Sequence, residues 1–188
     1  MELLHNIDFY LFNLINHDFG NAFFDVIMPT IRNKKTWFPL YILLFIYLAY
    51  KYKFKAWIIV VLAIASIGLA DGISSHFLKP FVERLRPCNV PELINAVVLR
   101  INHCSGGFSF PSSHAANHFA LATFLGLALK QESKGFLSIG LIWAGIISFA
   151  QVYVGVHFPI DVFFGGLLGL VIGIFLYKLP FKWLVAKF

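Results

Sequence analysis

Residues 108–130 read FSFPSSHAANHFALATFLGLALK. Two patterns meet in this stretch. From Ala115 to Leu129 it is an apolar helix, yet its first turn is Pro-Ser-Ser-His, and a second histidine, His118, follows one turn later. A helix that only has to sit in hydrocarbon needs no polar entrance of this kind. Read as a membrane helix with a polar mouth, the segment sets the fold class, and the rest of the chain agrees with it.

The chain has 188 residues, 59% of them hydrophobic and 13% charged, with 22 phenylalanines. A soluble globular domain carries roughly 25% charge, so the composition is that of a membrane protein. The net charge of +6 does not point to nucleic acid, because the basic residues lie between apolar runs, where charges flank membrane spans. Met1-Glu2-Leu3-Leu4 lacks a basic leader, and no secretory signal peptide is expected.

Working outward, residues 56–78, 136–156 and 160–179 are apolar runs of the length that crosses a bilayer, about 20 residues, and 115–129 reaches that length through its polar start. Residues 36–52, flanked by aromatics, make a fifth span. In the first 31 residues Leu3, Leu4, Ile7, Leu11, Leu14 and Ile15 recur at helical spacing, interrupted by Asn13, Asn16, His17 and Asp18. This reads as an amphipathic interfacial helix, with a polar-broken sixth span as the alternative. The expected fold is an all-α polytopic helical bundle of five or six transmembrane helices with an N-terminal amphipathic segment, one integral-membrane domain over 1–188.

With spans alternating, Lys51, Lys53, Lys55, Lys130, Lys134, Lys178, Lys182 and Lys187 fall on one side. Arg32, Lys34, Lys35, Lys79, Arg84, Arg86 and Arg100 fall on the other. Once the anion-binding candidates in the second set are discounted, the lysine-rich side is cytoplasmic and the 79–113 loop faces outward. Cys88 and Cys104 both lie in that loop. An oxidising compartment permits a disulfide between them, with two free thiols as the other reading.

Three polar clusters sit at the outer ends of different spans. In KPFVERLRP, residues 79–87, Lys79 and Arg86 fall on one face if the stretch is helical. At the opening stretch, Ser112 or Ser113 is a natural N-cap, the helix start attracts a phosphate-like anion, and His114 lies in the first turn. For His118 and Asn117 a structural polar contact is the preferred reading. In GVHFPID, residues 155–161, His157 precedes a helix that Pro159 opens, with Asp161 one turn on. A carboxylate on one imidazole nitrogen fixes the tautomer and leaves the other free to attack. Taken singly, each cluster is also explained by caps and membrane-flanking charge. Together they supply what phosphoryl transfer through a covalent histidine requires. Asp71, inside a span, either orients Lys79 or makes an interhelical hydrogen bond. Gly165, Gly169 and Gly173 suit close helix packing.

These residues resemble the type 2 phosphatidic acid phosphatase (PAP2) superfamily, membrane lipid phosphatases related to vanadium haloperoxidases. Lys79 to Arg86-Pro87 matches the first motif, and Pro111-Ser112-Ser113-His114 the second with Ser for Gly. His157 and Asp161 match the third, with Ala150-Gln151 where Ser-Arg is expected. The resemblance implies a metal-independent hydrolysis of a phosphomonoester or diphosphate lipid, with no cofactor. Lys79, Arg86, Ser112, Ser113 and Gln151 would hold the phosphate. His157 would be the nucleophile, Asp161 its partner and His114 the general acid. The implied partners are a lipid phosphate substrate and membrane lipids, not nucleic acid. The implied place is a bacterial inner membrane with the site on the periplasmic face. For the arginine absent at Gln151, either Arg84 or Arg100 substitutes, or activity is weak. A non-catalytic phospholipid-binding or lipid-translocating protein, a lipid phosphotransferase and a structural bundle are the rival readings.

Overall fold

A computed structural model describes residues 2–93, 95–130, 133 and 135–181. The described residues form helices α1 (Glu2–Asn13), α2 (Ala22–Arg32), α3 (Phe38–Tyr52), α4 (Ala56–Gly72), α5 (Lys79–Val82), α6 (Ser113–Ala128), α7 (Gly135–Tyr153) and α8 (Pro159–Leu176). Lys134, Lys182 and Lys187, counted above on the cytoplasmic side, lie outside the described residues.

α3 and α4 are a hairpin. Lys53, at a φ of 50°, ends α3, and one tight turn over Lys53–Lys55 leads into α4. Lys34–Val82, Gly135–Tyr153 and Pro159–Leu179 are long and apolar enough to cross a membrane. Ile64, Ile139, Ile142 and Val171 on these helices are exposed, as side chains facing lipid would be. The chain is an all-α membrane bundle of α3, α4, α6, α7 and α8.

α6 is shorter and more polar than its neighbours because it is the centre of the bundle. It packs against α4, α7 and α8, with Ala115, Ala116, Ala120 and Phe124 fully buried. Its contact with α8 is close because α8 presents glycine. A Cβ on Gly165 would lie 2.4 Å from the Ser112 carbonyl oxygen, and one on Gly169 2.3 Å from that of Ala116. The glycine repeat therefore serves packing within the bundle, where backbones must touch.

α1 and α2 do not form a clean span. Leu14–Asp18 is a wide π turn between them. Phe12 packs against Val152 and Phe158. Asn16, buried, donates to the carbonyls of Val98 and Tyr153 and accepts from the Val98 amide. Asn16, one of the polar residues that broke the apolar pattern, thus ties this segment to the end of α7 and to the loop at Val98.

The expected helical face for Lys79 and Arg86 is not formed. α5 ends at Val82 because Glu83 adopts a left-handed conformation, φ 52°. The chain then leaves the helix, and Arg86 reaches the site from an extended segment. Cys88 and Cys104 are joined in a disulfide. Cys88 is buried beside Met28, Ala150, Tyr153 and Val154, so the bond pins the long loop onto α2 and α7.

Candidate active site

The site is assembled from the ends of helices that α6 holds together. His157 stands between α7 and α8, and its position depends on Gly155. That residue has a φ of +87°, and a Cβ there would meet Val97 at 2.8 Å. Pro159 then opens α8 with its first-turn N–H already absent. Asp161 caps the same helix end, accepting from the Phe158 amide at 2.8 Å through Oδ2. The Asp161 carbonyl accepts from the Ser112 amide at 2.9 Å, which joins the start of α6 to the start of α8.

His157 is 2% exposed and Asp161 0%. Asp161 Oδ2 lies 3.5 Å from His157 Nδ1, at the outer edge of ion-pair contact and without hydrogen-bond geometry. On the other nitrogen, Arg86 Nη1 donates to His157 Nε2 at 3.0 Å. An arginine has no acceptor, so Nε2 carries the lone pair and Nδ1 the proton. Burial pushes the His157 pKa down to about 4, against the opposing pull of the nearby Asp161 carboxylate. The imidazole is therefore neutral at pH 7, as a nucleophile must be.

Arg86 is buried and donates further to the carbonyls of Val156 and Gly107. Burial lowers its pKa, opposed by Asp161, with Arg32 adding to the lowering. Lys79 Nζ donates to the next carbonyl, Phe108, at 2.8 Å. Lys79 and Arg86 thus meet across residues 107 and 108 although their helix faces do not align. Both act electrostatically on His157. His114, in the first turn of α6, is close enough to His157, Arg32 and Arg86 to interact with each. Lys79, Arg86, His114 and His157, read from three separate clusters of the sequence, thus come together in one electrostatic neighbourhood.

The two serines separate. Ser112 is the N-cap of α6, its Oγ accepting from the Ala115 amide at 3.4 Å. Ser113 instead shares hydrogen bonds of 3.0 Å with Ser74 and Ser75, fastening α6 to the end of α4. His118 Nδ1 donates to the His114 carbonyl at 2.7 Å and its ring packs edge-on against Trp143. Asn117 donates to Asp71 at 3.2 Å, an interhelical bond.

Neither Arg84 nor Arg100 takes the place of the arginine missing at Gln151. Arg84 Nη1 donates to Asp161 Oδ1 at 2.7 Å and Nη2 to Asp8 Oδ2 at 2.5 Å. Two carboxylates commit its charge. Arg100 pairs with Asp25 and donates to the Asn16 and Tyr153 carbonyls. The cation beside Gln151 is Arg32, whose Nε donates to Gln151 Oε1 at 3.3 Å. Sequence reasoning read Arg32 only as membrane-flanking charge and passed over Asp8. Asp8 is 4% exposed, and besides Arg84 it accepts from the Ile160 amide at 2.8 Å. Neither residue lies in a motif, and their roles exist only once α1 and α2 fold back on α7 and α8.

The PAP2 superfamily model matches residues 56–184, which contain the Lys79–Arg86, Ser112–His114 and His157–Asp161 clusters. The chain belongs to the PAP2 superfamily. This PAP2 chain is 37% identical to the lipid A 4'-phosphatase of Bacteroides thetaiotaomicron over 90% of its length and 75% of the relative's. It is 30% identical to the lipid A 4'-phosphatase of Porphyromonas gingivalis over its full length and 78% of that protein. Among solved structures, Aquifex aeolicus LpxE superposes with a TM-score of 0.69 at 28% identity, covering 92% of this chain and 95% of that one. The PAP2 chain is a lipid phosphate phosphatase of the membrane.

Proposed function

We propose that this lipid phosphate phosphatase removes a phosphate monoester from a phosphorylated saccharolipid of the lipid A kind. It does so through a phosphohistidine on His157, without a metal ion. The observation that carries this reading is the 3.0 Å contact of Arg86 with His157 Nε2. A phosphate held by Arg86 is thereby held against the nitrogen that bears the lone pair. Two relatives of nearly full coverage that are lipid A 4'-phosphatases support the substrate class.

The Nε2 lone pair attacks phosphorus, forming an N–P bond as the P–O bond to the sugar breaks. His114 protonates the leaving sugar oxygen. Water then attacks the phosphohistidine and passes a proton to the now deprotonated His114, the N–P bond breaks, and inorganic phosphate leaves with both histidines restored. Lys79 and Arg86 neutralise the phosphoryl oxygens, and the α6 N-terminus faces the same charge. Asp161, held by Arg84 and by its own helix-capping bond, sets a negative charge 3.5 Å from Nδ1 that favours the proton on that nitrogen and stabilises the ring as Nε2 takes the phosphoryl group.

We place the reaction on the periplasmic face of a bacterial inner membrane. The Cys88–Cys104 disulfide lies on the side of the site, as an oxidising compartment allows. The described lysines of the connections at Lys51–Lys55 and Lys130 lie on the other.

The test is phosphate release by the purified full chain in detergent, with chelator present. The lipid panel comprises lipid A phosphates, phosphatidic acid, phosphatidylglycerol phosphate and undecaprenyl diphosphate. Release from lipid A by the wild type, lost in His157→Ala, is expected. Release that requires added metal, or that survives in His157→Ala, contradicts the reading.

A further inference from the structure

A phosphoryl group in transfer spreads its charge over three equatorial oxygens, and the reading above provides two cations for it, Lys79 and Arg86. The remaining guanidinium groups near the site differ in how they are committed. Arg84 is neutralised by Asp161 and Asp8, and Arg100 by Asp25. Arg32 is half-buried, and among the described residues no carboxylate pairs with it. Among the described residues its one side-chain hydrogen bond is the Nε donation to Gln151 Oε1. A guanidinium withdrawn from water without a counter-charge is costly unless an anion completes it.

Gln151 points the same way. It is 0% exposed, and because Oε1 accepts from Arg32, its Nε2 is the donor end. That Nε2 is buried and has no hydrogen-bond partner among the described residues. A buried unmatched donor and an unmatched cation therefore sit side by side, both of the sign that an oxyanion satisfies. Arg32 also forms one wall of a cavity of about 560 Å³ that His114 lines as well, with Lys34, Arg100 and His103 and no acidic residue. It is close enough to His114 and to Arg86 to act on both electrostatically.

We propose that Arg32, oriented by Gln151, is a third phosphate-contacting catalytic cation of this site and approaches the transferring phosphoryl group from the side of His114. Gln151 is the positioning residue. It cannot bind the phosphate as a charged fork, but it aims one that does, carried in from α2. The role of Arg32 in catalysis rests on the phosphatase reading above; its contact with phosphate does not.

The experiment uses the purified full chain in detergent and compares wild type, Arg32→Gln, Arg32→Lys and the double variant Arg32→Gln/Gln151→Arg. Two readouts are taken: phosphate release from lipid A, and the rise in unfolding temperature on adding inorganic phosphate or vanadate. Arg32→Gln keeps a polar group of related length and removes the charge. It is expected to lower kcat/KM by about 100- to 1,000-fold, the scale of losing one oxyanion donor, and to abolish most of the protection by phosphate. Arg32→Lys, which keeps charge but loses the fork, falls between. The double variant returns the guanidinium from the other side and recovers activity by roughly 10-fold or more over Arg32→Gln.

Equal activity and equal phosphate protection in wild type and Arg32→Gln would overturn the proposal. So would lost activity with unchanged phosphate protection, because Arg32 would then only support the fold. A wild type that releases no phosphate but is protected by it, with protection lost in Arg32→Gln, upholds the contact while the phosphatase reading fails.

Discussion

His157 has a different neighbour at each ring nitrogen, which is what the proposed chemistry requires of it. Asp161 stands off Nδ1 at 3.5 Å and Arg86 donates to Nε2 at 3.0 Å. Burial holds the pKa at about 4 instead of the ordinary 6.5. The consequence for stability has a definite sign. Between pH 6.5 and 4 the unfolded chain binds a proton on this residue that the folded chain refuses. The stabilisation is full above 6.5 and is lost as pH falls through that window. Chemical denaturation across the window should show the wild type losing stability toward pH 4, with that component missing in His157→Ala. A wild-type curve no steeper than the variant's would contradict a buried neutral imidazole.

Among the elements, α6 and α8 carry the site because glycine lets them touch. On Gly169 a new Cβ would lie 2.3 Å from the Ala116 carbonyl oxygen and 2.8 Å from the Ala120 nitrogen, both backbone atoms that cannot swing away. Gly169→Ala should cost about 1–3 kcal/mol of stability in detergent and lower activity with it, by separating Ser112 from Asp161. Gly68→Ala, with nothing within 4 Å, should be neutral in the same unfolding measurement. Equal stability of the two variants would mean that the α6–α8 contact is looser than the structure has it. This level was largely legible in advance. Apolar length marked α3, α4, α7 and α8, and the glycine repeat marked the close contact. The pairing of Lys79 with Arg86 was read through a helix that Glu83 interrupts, since a left-handed glutamate leaves no periodic signal. Ser112, His114, His157 and Asp161 were legible because they stand at the starts of α6 and α8, where Ser112 and Asp161 supply the caps; Lys79 and Arg86 were legible only through their spacing in the motif. Asp8 and Arg32 were not, because their partners lie more than 70 residues away in sequence at Arg84 and Gln151, and no local spacing records such a contact.

The described residues form a bundle whose site-bearing end is closed by the N-terminal segment. α1 brings Asp8 to Arg84, which holds Asp161; α2 brings Arg32 to Gln151; and the disulfide fastens the loop that forms the cavity wall. The N-terminal helices therefore pack onto the candidate site through these two contacts. The measurement that tests the central claim most directly is a rapid quench of the full chain with radiolabelled lipid A phosphate, followed by mapping of the labelled site. The account predicts an acid-labile phosphoryl group on His157, formed at the rate of turnover and absent in His157→Ala. Turnover at full rate with no label on the protein, or label on another residue, would contradict it.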